Sequence, residues 1–100
     1  MSKFQSLLEA VVPDNTVPSE MYKALKTYSL SVPSGMDQFF REGLFTNSGL
    51  KFDDVDKEQI KLGLDVEMEH TKSKAVALKI ALDHLAENPT YYTELKKIEG

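Results

Sequence analysis

A small all-α domain is what this sequence predicts: a bundle of short helices around a C-terminal helical hairpin, with one more helix returning along it. Three observations carry that expectation. Apolar residues recur at three- and four-residue spacing along much of the chain. Residues that cap helices stand ahead of the apolar runs at Ser19, Asp56, Ser73 and Asn88. Prolines and short polar clusters fall between the runs.

Residues 2–12 place Phe4, Leu7, Leu8 and Val11 at i, i+3, i+4 and i+7, one face of a short helix that Pro13 stops. Asp14-Asn15-Thr16-Val17-Pro18 is turn chemistry. Ser19 is the expected N-cap of a second helix, with Tyr22, Leu25 and Tyr28 on one face and Ser31 to Gly35 as its end. A third, short helix from Ser34 carries Met36, Phe39 and Phe40, with Gly43 as the residue past its end. Thr46-Asn47-Ser48-Gly49 reads as a loop by composition. The first half is thus a set of short helices on proline and glycine hinges, each too short to be stable alone. They must pack on something larger.

That larger unit starts at Asp56. Asp56 and Gln59 have the spacing of a capping box, and Phe52 or Val55 can serve as the hydrophobic staple ahead of it. Ile60, Leu62, Leu64, Val66 and Met68 then alternate strictly, which is the period of a strand. On a helix the same residues split into two stripes, Ile60, Leu64 and Met68 on one side and Leu62 and Val66 nearly opposite. The capping signal and the Glu, Lys and Met content favour helix. The alternative is an α+β domain with a strand at 60–68. Ser73 caps the next helix, whose stripe is Ala75, Leu78, Leu82 and Leu85, widened by Ala81. Asn88 and Pro89 open the last helix as cap and first helical residue, with Tyr91, Leu95 and Ile98 aligned and Tyr92 beside them.

Composition narrows the function classes. At 100 residues the chain is one ordinary domain, residues 1–100 sharing a single core. It has no cysteine, which excludes disulfides, thiolate nucleophiles and Cys-based zinc sites and leans toward the cytoplasm. The net charge is −4, and no basic patch with interleaved aromatics occurs, so the footprint of a nucleic-acid binder is missing. No apolar run approaches the roughly 20 residues that span a bilayer, and no secretory leader is evident.

Two words stand out, Glu67-Met-Glu-His70-Thr71 and Asp83-His84-Leu85. Glu67 and His70 have the i, i+3 spacing by which a helix face offers a carboxylate and an imidazole to a metal, and His84 and Glu87 repeat it. His84 lies roughly 16 Å along the helix from its cap, so a simple hairpin puts the two histidines near opposite ends. Asp65, Glu67 and Glu69 crowd the end of a helix, where negative charge is unfavourable by about 0.3–1 kcal/mol each. Glu67, Glu69, His70 and His84 are therefore the candidate metal or ligand residues, for a divalent cation or a basic partner. The structural account is simpler: His70 complements the helix dipole, and His84 bonds to the Tyr91–Tyr92 segment. No nucleophile or phosphate-cradling motif appears, so no catalytic residue is assigned and no cofactor is required. Phe39, Phe40, Tyr91 and Tyr92 are the candidate partner-binding residues, since aromatics anchor interfaces.

The run Gly63 to Thr71, followed by Ala77, Ile80, Ala81, Asp83-His84-Leu85, Glu87, Pro89, Tyr91-Tyr92 and Leu95, resembles a small domain that tailed bacteriophages and prophage-like loci encode, alone or fused to larger phage proteins. The likeness covers about residues 53–99. Lys72-Ser73-Lys74 departs from it, since similar sequences often carry acids and a proline there; Ser73 still caps. The resemblance implies a phage setting, in the host cytoplasm or the virion, and brings no activity with it. The expectation is a non-enzymatic phage-type accessory or virion-associated protein that binds another protein or a second copy of itself, with no nucleic-acid or membrane partner. The alternative is a metal- or small-ligand-binding domain built on Glu67 and His70.

Overall fold

In the computed structural model residues 17–99 are described, and every regular element among them is helical. The helix expected over residues 2–12, with Phe4, Leu7, Leu8 and Val11, lies outside the described residues. Helix α1 is Ser19–Thr27, α2 Asp37–Arg41 and α3 Leu44–Ser48. A 3-10 turn at Phe52–Asp54 leads into α4, Lys57–Glu67, then α5, Lys74–Glu87, and α6, Tyr91–Glu99. The ambiguous stretch 60–68 is helix as far as Glu67 and turn beyond it.

The N-terminal layer departs from expectation in its ends. Pro18, not Ser19, holds the N-cap of α1, and its carbonyl accepts the Tyr22 N–H at 2.9 Å. Proline's fixed φ, here −53°, directs the chain into the helix, and no side chain accepts from its first turn among the described residues. The buried face is Met21, Ala24 and Leu25, with Tyr22 and Tyr28 half-buried beside it. Helix α2 starts at Asp37 rather than Ser34, and Gly43 does not close it. Gly43 sits at the N-cap of α3, and the residues that read as loop by composition are helical.

Asp83 explains the difference. Its Oδ1 accepts the Phe45 N–H at 3.0 Å, so α3 is capped from α5. Gly43 is needed there for two reasons: its φ is +117°, and a Cβ would lie 2.5 Å from Lys79 Nζ and 2.6 Å from Asp83 Oδ2. Burial of Phe45 completes the anchor, and Gly49, left-handed at φ 77°, ends the helix.

Helices α4 and α5 form the base. Asp56 caps α4 by accepting the Glu58 N–H at 2.8 Å, but the reciprocal half of the capping box is absent because Gln59 is used elsewhere. Ser73 caps α5 through the Val76 N–H at 3.2 Å. Ala75, Leu78, Ala81, Leu82 and Leu85 are buried as their stripe predicts, and Ala77 joins them. On α4, Ile60 and Leu64 face the core, Leu62 and Val66 are half-buried, and Met68 is 41% exposed. The alternation in this stretch therefore reflects a helix that packs on two sides.

In α6 the expected stripe is rotated. Tyr92 is the buried residue, Tyr91 and Leu95 are half-buried, and Ile98 is 82% exposed. Asn88 organises the preceding turn, its Oδ1 accepting the Thr90 N–H at 3.1 Å, so Pro89 precedes the helix instead of opening it. One hydrophobic cluster runs through all the layers, from Val17, Met21 and Phe40 to Ile60, Leu82 and Tyr92.

Candidate functional site

The junction of α4, α5 and α6 gathers most of the residues singled out above. It is built on one face of α4, where Gln59, Gly63 and Glu67 follow at i, i+4 and i+8. Tyr92 lies along that face. Gln59 Oε1 accepts the N–H groups of Tyr92 at 3.2 Å and Thr93 at 3.4 Å, and its Nε2 donates to Thr93 Oγ1. These N–H groups belong to the first turn of α6, which has no partners of its own, so Gln59 caps one helix from another.

Gly63 makes room for the ring. A Cβ there would stand 2.6 Å from Tyr92 Cε2 and 2.9 Å from Ala81 Cβ. Beyond it the Tyr92 hydroxyl donates to Glu67 Oε2 at 2.8 Å. Alanine at an ordinary mid-helix glycine stabilises by about 0.5–1 kcal/mol, but crowding a packed core costs about 1–3 kcal/mol. Gly63→Ala is therefore expected to lower stability by about 1–2 kcal/mol in urea denaturation. A gain in stability would show that the ring is not held against α4.

The electrostatics follow from the same contacts. Burial, then the Glu67 carboxylate that accepts its hydroxyl, pushes the Tyr92 phenol well above its usual range, so it remains a donor. His84 Nε2 stands 3.6 Å from Glu67 Oε2, beyond hydrogen-bond range. The imidazole stacks on Tyr91, centroids 4.3 Å apart and planes 2° apart, and Tyr91 meets Tyr92 edge-on at 4.8 Å. A buried carboxylate is thus faced by a phenol and an imidazole, and the imidazole is stacked on a second tyrosine ring.

Of the candidate ligand residues, Glu67 and His84 come together, and Glu69 and His70 are exposed. Glu67 meets His84 rather than His70, because α4 ends at Glu67 and the chain turns, while α5 crosses α4 closely at Gly63 and Ala81. His84 packs against Tyr91 through its ring face and makes no hydrogen bond to that segment among the described residues. No group of three or more His, Asp or Glu side chains is placed to hold a metal among the described residues. Among the aromatics, Phe40 is fully buried and Tyr92 is 2% exposed, so both are core residues and not surface anchors. Phe39 stays 37% exposed, with Lys79 Nζ 4.4 Å from its ring centre.

Sequence reasoning gives Gln59 only a capping-box role on its own helix and assigns no role to Gly63 or to the Lys79–Asp83 pair, a 2.5 Å contact with side chains only 6% and 20% exposed. The available signal was the glycine itself. In a helix interior it costs about 1 kcal/mol against alanine, and here it sits midway between two polar residues four positions away on either side.

Two grooves flank α4. One, about 210 Å³, lies between α4 and α6, with Leu62, Val66, Tyr92 and Leu95 as floor and Asp65, Glu69, Glu99 and Lys96 at its edges. The other, about 510 Å³, runs between α4 and the end of α1, with Tyr28, Leu64 and Met68 among its walls.

These features define a small helical domain in which a tyrosine from the last helix is locked across the hairpin. The chain belongs to the family described as protein of unknown function DUF5661, whose model matches residues 41–100, from the last residue of α2 onward. No curated protein matches the chain, and no solved structure does.

Proposed function

We propose that the chain is a non-enzymatic, phage-type accessory or virion-associated protein that acts by binding another protein, through the groove between α4 and α6. The observation that carries this reading is the pairing of an apolar floor with acids that local physics disfavours. Leu62, Val66 and Leu95 leave half-buried apolar surface open along the groove, and Asp65, Glu69 and Glu99 stand at its edges. Asp65 lies in the last turn of α4 and Glu69 just beyond it, where the helix dipole opposes negative charge by about 0.3–1 kcal/mol each. Local choices that oppose local stability often mark a binding surface. The matching partner is an amphipathic helix with lysine or arginine flanking its apolar stripe. The phage setting rests on the likeness of residues 53–99 to phage-encoded domains, and the protein works there in the host cytoplasm or on the virion.

Titration calorimetry with designed helical peptides tests the reading. A Leu/Lys amphipathic peptide is expected to bind, more weakly at high salt and more weakly to Asp65→Lys/Glu69→Lys, while its Leu/Glu counterpart is not. Equal binding of both peptides, or no loss in the double variant, would sink it. A melting midpoint raised by Zn²⁺, and lost in Glu67→Gln and His84→Ala, would instead favour the ligand-binding reading.

A further inference from the structure

We propose that copies of this chain associate head to tail, the exposed stripe of α6 from one copy seated in the groove between α4 and the end of α1 of the next. Both halves of that contact are apolar and open among the described residues. On α6, Leu95 is half-buried and Ile98, one turn on and on the same face, is 82% exposed. In the groove, Leu64 and the half-buried Tyr28 are walls, and Met68 is 41% exposed.

Charge matches the two surfaces. Glu94 stands one turn before Ile98 and Glu99 one turn after Leu95, so an acid flanks each side of the stripe, while Lys96 and Lys97 lie farther round the helix. Thr90 and Asn88 donate to Glu94 and hold its carboxyl below the usual range, so that flank stays charged. The groove carries Lys57, Lys61 and Lys74 against Glu58 and Asp65. Lys57 donates to the Phe52 and Val55 carbonyls, whereas Lys61 and Lys74 are exposed and form no ion pair among the described residues. Two of these charges oppose their own helices. Lys74 is the first residue of α5 and Glu99 the last of α6, the ends where the dipole disfavours a cation and an anion respectively. Between two copies each answers the other. The groove between α4 and α6, edged by three acids and one lysine, repels the same stripe.

Length and direction fit as well. The nine residues of α6 span about 14 Å, against about 16 Å of α4 from Lys57 to Met68. Gln59 and Gly63 hold α6 on one side of α4, and Lys57 and Lys61 face the groove from the other. A copy engaged through its stripe therefore keeps its groove available, and the contact extends instead of pairing off. One helix face in one groove buries less than the roughly 1,200 Å² of a stable interface, so the association is weak. Ile98, Lys61 and Lys74 are not part of the groove between α4 and α6, so peptide binding there succeeds or fails independently.

Sedimentation equilibrium of the full-length protein tests this. The weight-average mass is expected to rise with concentration past that of a dimer. Ile98→Asp spoils the stripe and Lys61→Glu/Lys74→Glu spoils the groove; all three residues are exposed, so each variant keeps the fold and should stay monomeric. Mixed in equal amounts, the two variants should form a dimer and nothing larger, since one intact stripe then meets one intact groove. Three results overturn the proposal: a wild-type mass that never passes the dimer up to millimolar concentration, association that persists in either variant alone, or no dimer in the mixture.

Discussion

Tyr92→Ala is expected to destabilise the protein by about 3–5 kcal/mol, the usual cost of emptying a buried aromatic site. The loss has two parts. The ring leaves a void over Gly63, where α4 has no side chain to fill it, and Glu67 loses the hydroxyl 2.8 Å from its buried carboxylate. Tyr92→Phe separates them. It keeps the ring and removes the donor, for an expected loss of about 1–3 kcal/mol. Urea denaturation measures both, and a Tyr92→Ala value within the scatter of surface variants would refute the lock.

Alkaline pH reads the same contact. The folded-state phenol sits above its usual 10.0, so its contribution is complete below pH 10 and is lost as pH rises past that value. Tyr28, half-buried and likewise raised by burial, adds in the same direction. Wild-type melting midpoints should therefore fall above pH 10, and those of Tyr92→Phe should fall less steeply, the remaining slope belonging to Tyr28 and to Lys23, whose ammonium Asp53 holds above its usual range.

Asp83→Ala is expected to cost a similar amount, about 3–5 kcal/mol, through a different cause. Lys79 is held with a side chain 6% exposed, and its charge is answered by Asp83 at 2.5 Å and the ring of Phe39. Removing the carboxylate strands that ammonium and also uncaps α3 at Phe45. Asp83→Asn keeps an acceptor for the Phe45 amide and should lose less. Replacing both partners, as Lys79→Met/Asp83→Leu, removes the stranded charge and should recover part of the loss. If the double variant were no better than Asp83→Ala, the cap on α3 rather than the ion pair would account for the effect. Each change is large against the roughly 5–15 kcal/mol that holds a domain of ordinary stability folded.

How much of this was legible depends on the range of the interaction. Asp56 and Ser73 cap their own helices, and the stripe of α5 faces inward, because those features are settled within a few residues of sequence. Leu44–Ser48 could not be read as helix, since its cap arrives from Asp83, 38 positions away from Phe45. The rotation of α6 had a similar origin. Tyr91, Leu95 and Ile98 form the better local stripe, but Gln59 and the notch at Gly63 select Tyr92. Of the candidate site, Glu67, His84, Tyr91 and Tyr92 were named from the sequence and do meet. The sequence points to His84 beside the Tyr91–Tyr92 segment, where its ring does lie, but not to the partners of Glu67: spacing along one helix matches Glu67 with His70, whereas it meets residues from two others. His70 is named by that spacing and Glu69 by the crowding of acids at the helix end, and both are exposed.

The family boundary at residue 41 has a consequence for how this unit travels between proteins. It cuts through one continuous hydrophobic cluster, because Met21, Ala24, Leu25 and Phe40 lie before it and share their packing with Phe45, Leu78 and Leu82 beyond it. The inherited stretch is therefore a floor without a roof. Here α1 and α2 are the roof, fastened by Glu20 to the Phe52 amide and by Phe39 to Lys79. Any chain that carries the same stretch in another setting has to bring its own roof, and the apolar face beneath is the template it must fit.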